Sequence, residues 1–154
     1  MAQHHYKLHL TWTGNNGTGT SGYTAYERSH TISIEDKPDL LASSDTAFRG
    51  DSAKYNPEDL LLSSLSSCHM LWYLHLCADA GIVVLGYEDA AEGIMEIRDG
   101  MGRFTEVTLY PKIMVAQEGM CAKANELHEE AHKKCFIANS VNFPVKHKPI
   151  CSVR

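Results

Sequence analysis

The stretch "NPEDLLLSSLSSCHMLWYLHLCADAGI", residues 56–82, constrains the chain more than any other. Asn56 is a natural N-cap, Pro57 suits the first helical position, Glu58 and Asp59 meet the positive end of a helix dipole, and Gly81 suits the stop. The spacing predicts one long helix. Its second half, Met70 to Ala78, is apolar on nearly every side, so it is expected to be buried all round. Serines and histidines inside the run argue against a membrane span. Any fold for this chain must therefore be built around an internal helix.

The flanking segments say what can surround it. "YKLHLTWT" and "YTAYERSHTISIE", separated by the turn-rich "GNNGTGTSG", read as a β-hairpin, and residues 36–55 as a connection with room for a short edge strand. After the helix, "VVLGYEDAAEGIMEIRDG" and "GRFTEVTLYPKIMVAQ" predict two strands joined at "DGMG". "CAKANELHEEAHKKC" has helical composition, and "NFPVKHKPICSV" predicts one final strand. Strands, helix, strands, helix, strand, without βαβ alternation, give an α+β class with antiparallel sheets. At 154 residues, with no visible boundary, a single domain spanning 1–154 is expected. A formal charge of -5 offers no field for a phosphate backbone, so no nucleic-acid partner is expected. The N-terminus has no apolar run of signal-peptide type, so a cytoplasmic location is expected.

Two kinds of chemistry compete near the C-terminus, in "HEEAHKKCF". His128, Glu129 and His132 fit H-E-x-x-H, the pattern that on a helix holds zinc and a general base. A third ligand is wanting, because no Asp or Glu follows Glu130 and His147 is the only later histidine. The favoured reading is a solvated helix face with Glu129–Lys133 and Glu130–Lys134 ion pairs. Cysteine offers the alternative. Five cysteines, 68, 77, 121, 135 and 151, are an odd number without a C-x-x-C pair, which argues against structural disulfides or a zinc knuckle and leaves reactive thiols. Lys133 and Lys134 are expected to lower the pKa of Cys135. Cys68, some three turns into the helix, lies beyond reach of the dipole and needs a charge supplied by the fold. Cys77 reads as core, and Cys121 and Cys151 have no supporting context.

Quoted together, "NPEDLLLSSLSSCHMLWYLHLCADAGI" and "AHKKCFIANSVNFPV" resemble the paired signatures of the OsmC/Ohr family of thiol-dependent peroxidases. Asn56, Pro57 and Glu58 match the opening of the family's central helix, Cys68 falls ten residues after Glu58, and Cys135 lies 67 after Cys68. The resemblance implies an intertwined homodimer whose central helices pack together with active sites at the subunit interface. It implies that Cys68 attacks the peroxide and becomes a sulfenic acid, that Cys135 resolves it as a disulfide, and that Glu58 orients an arginine beside the thiolate. In one branch that arginine precedes the helix in an Arg-Phe-Glu-Gly stretch, which here reads Ala47, Phe48, Arg49, Gly50. In the other it comes from an N-terminal strand, which nominates Arg28. Arg49 is favoured. The expected substrate is an organic hydroperoxide, favoured by an apolar pocket around "CHMLWYLHLC", and the reductant is a dithiol such as a lipoyl group or a small thiol. No cofactor or metal is implied. The alternatives are a redox-sensing or apolar-ligand-binding protein on the same scaffold and, more distantly, a zinc hydrolase.

Overall fold

The computed structural model describes residues 2–154. The chain divides into two compact units, one ending at Leu61 and one running Leu62–Arg154, so the division falls inside the long helix. In the first unit β1 (His9–Trp12), β2 (His30–Ser33) and β3 (Leu40–Ala42) form an antiparallel sheet in that order. The expected hairpin and edge strand are thus both present. Helix α1 (Pro57–Asp79) begins with a reciprocal cap. Asn56 Oδ1 accepts from the Asp59 N–H at 2.7 Å, and Asp59 Oδ2 accepts from the Asn56 N–H at 3.2 Å, which satisfies two donors that a helix start leaves open.

In the second unit α1 stops where Gly81 takes the left-handed conformation, with φ 70°. The Ile82 N–H reaches the Cys77 carbonyl and the Gly81 N–H the Ala78 carbonyl, the paired bonds of a Schellman ending. Each expected long strand then turns out to be two. The order continues β4 (Val84–Asp89), β5 (Glu92–Arg98), β6 (Met101–Leu109), β7 (Pro111–Val115), α2 (Cys121–Lys134), β8 (Val145–His147) and β9 (Ile150–Val153). One sheet is β4-β7-β9 and the other β5-β6-β8.

The two sheets are one three-stranded ribbon bent at a common level. Its chain segments break at Ala90–Ala91, at Tyr110 before Pro111, and at Lys148–Pro149. Proline cannot donate to a ladder, so two of the breaks sit where pairing must lapse. Asp89 stands at the corner. Its Oδ1 accepts from the Tyr110 N–H at 2.7 Å, and its Oδ2 accepts from the Ser66 hydroxyl at 2.5 Å, pinning the corner to α1. The β5–β6 turn is as expected from "DG": Asp99 and Gly100 both have positive φ, as a type I′ turn requires. β8 and β9 run parallel to β6 and β7, so the α+β class holds with mixed rather than purely antiparallel sheets. α2 carries the chain back to lay these strands parallel.

Two expectations are corrected. α1 is not buried all round. Leu65, His69, Tyr73 and Cys77, spaced four apart, are buried, while Leu71 on another face remains 62% exposed. With 23 residues of this composition α1 is long and apolar enough to cross a bilayer, but its stripe of four is committed to the chain's own core. That core joins Tyr73 and Cys77 to Ile113, Val115, Ala124, Leu127 and Ala131. Secondly, not every cysteine is a free thiol. Cys121 at the start of α2 and Cys151 in β9 form a disulfide that ties the helix to the strand it packs on. Sequence spacing of 30 residues gave no hint of it, because the parallel return of β9 brings the two together. A loop of this size stabilises by about 3–4 kcal/mol through the unfolded chain. Thiol titration of the denatured, unreduced protein should find three thiols of five, and Cys151→Ser should lower the urea unfolding free energy by about 3 kcal/mol.

Candidate active site

Helical geometry puts Ser64, Cys68, Leu71 and His75 on one side of α1, away from the buried stripe. They line an open, apolar cleft of about 530 Å³ together with Ser67, Trp72, Phe136 and Ile137. The Trp72 ring packs edge-on against Phe136 at 5.4 Å and His75 at 5.7 Å, and Lys134 Nζ lies 5.5 Å from its centroid. Phe136, which follows the second cysteine, stays 68% exposed.

Cys135 ends α2. Its thiol is buried, accepts from the Ala138 N–H at 3.4 Å, and is close enough to the Cys68 thiol for the two to influence one another's ionisation. The structure therefore brings together the two cysteines nominated from sequence, both as free thiols. The expected activation of Cys135 by lysines is corrected. Burial pushes its thiol up to about 11, against the smaller pull of the Ala138 amide, while the Cys68 thiol adds to the rise. Lys133 is engaged with Glu130 at 2.8 Å, and Lys134 lies over Trp72.

The nominated acid and arginines are not joined. Glu58 Oε2 is buried without a hydrogen-bond partner, and no ion pair links it to Arg28 or Arg49 among the described residues. Arg28 is held between the Tyr23 and Tyr26 rings, 4.4 and 4.2 Å from their centroids, and donates to the carbonyls of both residues. Arg49 is exposed, with φ 65°, at the end of a 3-10 turn over Thr46–Phe48.

The reading of "HEEAH" as a solvated face is also corrected. Glu129, Glu130 and Lys133 are exposed, but His128 is fully buried. It shares the inner face of α2 with Ala124, Leu127 and Ala131, a spacing visible in the sequence had His128 been counted with the apolar residues. His128 Nδ1 lies 2.9 Å from Nε2 of the equally buried His69, and its ring stacks on Tyr73 at 3.9 Å. His147 in β8 lies near both and pairs with Glu129 at 3.2 Å, in place of the expected Glu129–Lys133 bridge. Among the described residues no three His, Cys, Asp or Glu side chains are arranged to hold a metal ion. In this cluster His69 Nε2 and His128 Nδ1 face one another and His147 Nε2 faces Glu129.

A family model for OsmC-like proteins matches residues 50–149, a span that contains Asn56, Glu58, Cys68 and Cys135. The chain belongs to the OsmC-like family. Among solved structures, an OsmC-like protein of unknown function from Vibrio cholerae is similar to this one at 29% identity and TM-score 0.85, covering 97% of this chain and 100% of that one. An organic hydroperoxide resistance protein from Elizabethkingia anophelis is 19% identical with TM-score 0.68, covering 99% and 100%, and one from Bacillus subtilis is 20% identical with TM-score 0.63, covering 96% and 98%. These last two share the OsmC-like fold. No protein of curated function matches the chain.

The buried imidazoles make stability depend on pH. Burial, then neighbouring imidazoles, lowers His69 to about 4 and His128 to about 3, and burial also lowers His147. Folded pKa values below the unfolded value of about 6.5 mean that the unfolded chain takes up protons first as pH falls. Stability is then full above about pH 6.5 and declines below it. The urea midpoint should be lower at pH 5 than at pH 7.5, with the difference reduced in a His69→Gln/His128→Asn variant.

Proposed function

We propose that this protein is a thiol-dependent peroxidase that reduces organic hydroperoxides. The observation that carries the reading is the pair of free, interacting thiols, Cys68 and Cys135, with Cys68 lining an apolar cleft. The Cys68 thiolate attacks the outer peroxide oxygen. A sulfur–oxygen bond forms, the O–O bond breaks, and the departing alkoxide takes a proton to leave as alcohol. Cys135 then attacks the Cys68 sulfenic acid, closing a disulfide and releasing water. An external dithiol, such as a lipoyl group or a small thiol, returns both cysteines to thiols by exchange. Leu71, Trp72, Phe136 and Ile137 offer apolar surface to the organic part of the peroxide, which favours it over hydrogen peroxide.

The protein acts as a homodimer in this reading. Leu71 and Phe136 are large, apolar and exposed on one chain, which supports their being covered by a second. The buried, unpartnered oxygen of Glu58 supports a seat for a guanidinium. Neither Arg28 nor Arg49 of the same chain fills it, so arrival of an arginine accompanies assembly.

Anaerobic addition of one equivalent of cumene hydroperoxide should consume two thiols and link Cys68 to Cys135 in a peptide map. Cys68→Ser should abolish peroxide consumption. Cys135→Ser should consume one equivalent and stop at a sulfenic acid that dimedone traps. Sustained turnover by Cys68→Ser would exclude it as the nucleophile, and disulfide formation without turnover under any dithiol would favour a sensor.

A further inference from the structure

The two thiols sit on different helices, so something must set α2 in register against α1. Apolar contact does part of this, through Tyr73 and Cys77 of α1 and Ala124, Leu127 and Ala131 of α2. Such contact is non-directional and tolerates sliding. The His69–His128 contact is directional: N···N 2.9 Å, rings stacked 7° from parallel, both side chains buried. It lies close to both sulfurs along the chain. His69 is the residue after Cys68, and His128 precedes Cys135 by seven residues, about two helical turns, or roughly 10 Å of α2.

The pair is costly for a merely structural contact. His69 Nδ1 and His128 Nε2 are buried with no hydrogen-bond partner, which an apolar pair of similar volume would avoid. A neutral imidazole has one N–H and one lone pair, so the bond needs one ring as donor and the other as acceptor. Protonating the acceptor removes its lone pair, makes that ring a cation and leaves an N–H of each ring pointing at the other, so the bond is lost. The groups around the pair are Tyr73 from α1, His132 and Glu129 from α2, and His147 from β8. Glu129 is occupied with His147 and exposed, so it gives the pair no buried counter-charge.

We propose that His69 and His128 are positioning residues whose mutual hydrogen bond holds Cys135 against Cys68, and so govern closure of the disulfide rather than attack on the peroxide. This rests on the reading of Cys68 and Cys135 as the redox pair, but not on peroxide being the oxidant.

Closure can be driven without peroxide by diamide, a diazene that takes two electrons and two protons from a pair of thiols and becomes a hydrazine. His69→Leu and His128→Leu remove the bond at similar volume. His69→Gln places an amide near Nε2, and His128→Asn places one near Nδ1. In the full-length protein, diamide closure of Cys68–Cys135 should slow at least ten-fold in each Leu variant and recover to within about three-fold in the double Gln/Asn variant. With cumene hydroperoxide, the rate of Cys68 oxidation should stay within two-fold while dimedone trapping of its sulfenic acid increases. A Leu variant that is folded by circular dichroism and closes at the unaltered rate would overturn the proposal. Should the Leu variants not fold, pH decides. With both proteins folded by circular dichroism, the closure rate of the unaltered protein, divided by that of the Gln/Asn variant, should fall at least three-fold between pH 7 and pH 3.5, and a constant ratio would overturn it. If the unaltered protein consumes no peroxide but diamide closure responds as stated, the peroxidase reading fails and the positioning role stands.

Discussion

Everything in the second unit follows from α1 having two apolar faces and one chain with which to cover them. Of the stripe Leu65, His69, Tyr73, Cys77, all buried, Tyr73 and Cys77 enter the core shared with β7 and α2, and His69 meets His128 of α2. The neighbouring stripe, with Cys68 and Leu71, is left open as a cleft. A helix buried all round would shelter its cysteine from any substrate, and a helix with one apolar face would offer no pocket. The observed division gives Cys68 a backbone held rigidly by burial on one side and an approach from the other.

The bent ribbon is what makes that burial compact. A straight hairpin of this length would extend well past the helix, whereas breaks at one common level fold it into two short sheets. The bend leaves a backbone donor at Tyr110 without a ladder partner, and Asp89 accepts from it while reaching Ser66 on α1. The serines of α1 thus have one identified use, as a hydroxyl that locks the helix to the corner. The parallel return of the last segment, β8 and β9, then places His147 beside the buried imidazoles and Cys151 beside Cys121.

Local features were legible in the sequence: the cap at Asn56, the stop at Gly81, the Asp99–Gly100 turn and the spans of both helices all follow from short-range chemistry. The 67-residue spacing of Cys68 and Cys135 was legible only through resemblance to a family. Features created by long-range return of the chain were not legible. His128 looked like a solvated residue because its immediate neighbours are charged, yet its i−4, i−1 and i+3 neighbours are Ala124, Leu127 and Ala131. Cys121 and Cys151 looked unrelated because nothing local fixes the direction of β9. The basic pair before Cys135 suggested a reactive thiol, but charge adjacency in sequence says little when the sulfur points inward and the ammonium groups point out.

With its pKa pushed up to about 11, Cys135 holds only roughly one thiolate in ten thousand at pH 7, and it is closed off from solvent. A peroxide would find it neither ionised nor accessible. Cys68 is partly exposed and lines the cleft. A thiol kept protonated and buried is poorly suited to first attack, and in the proposed reaction it suits resolution, since the sulfenic acid it would meet forms at a sulfur already beside it. Burial thus supports the division of roles in the proposed reaction, in which the geometry between the two helices would control how fast the second step follows the first.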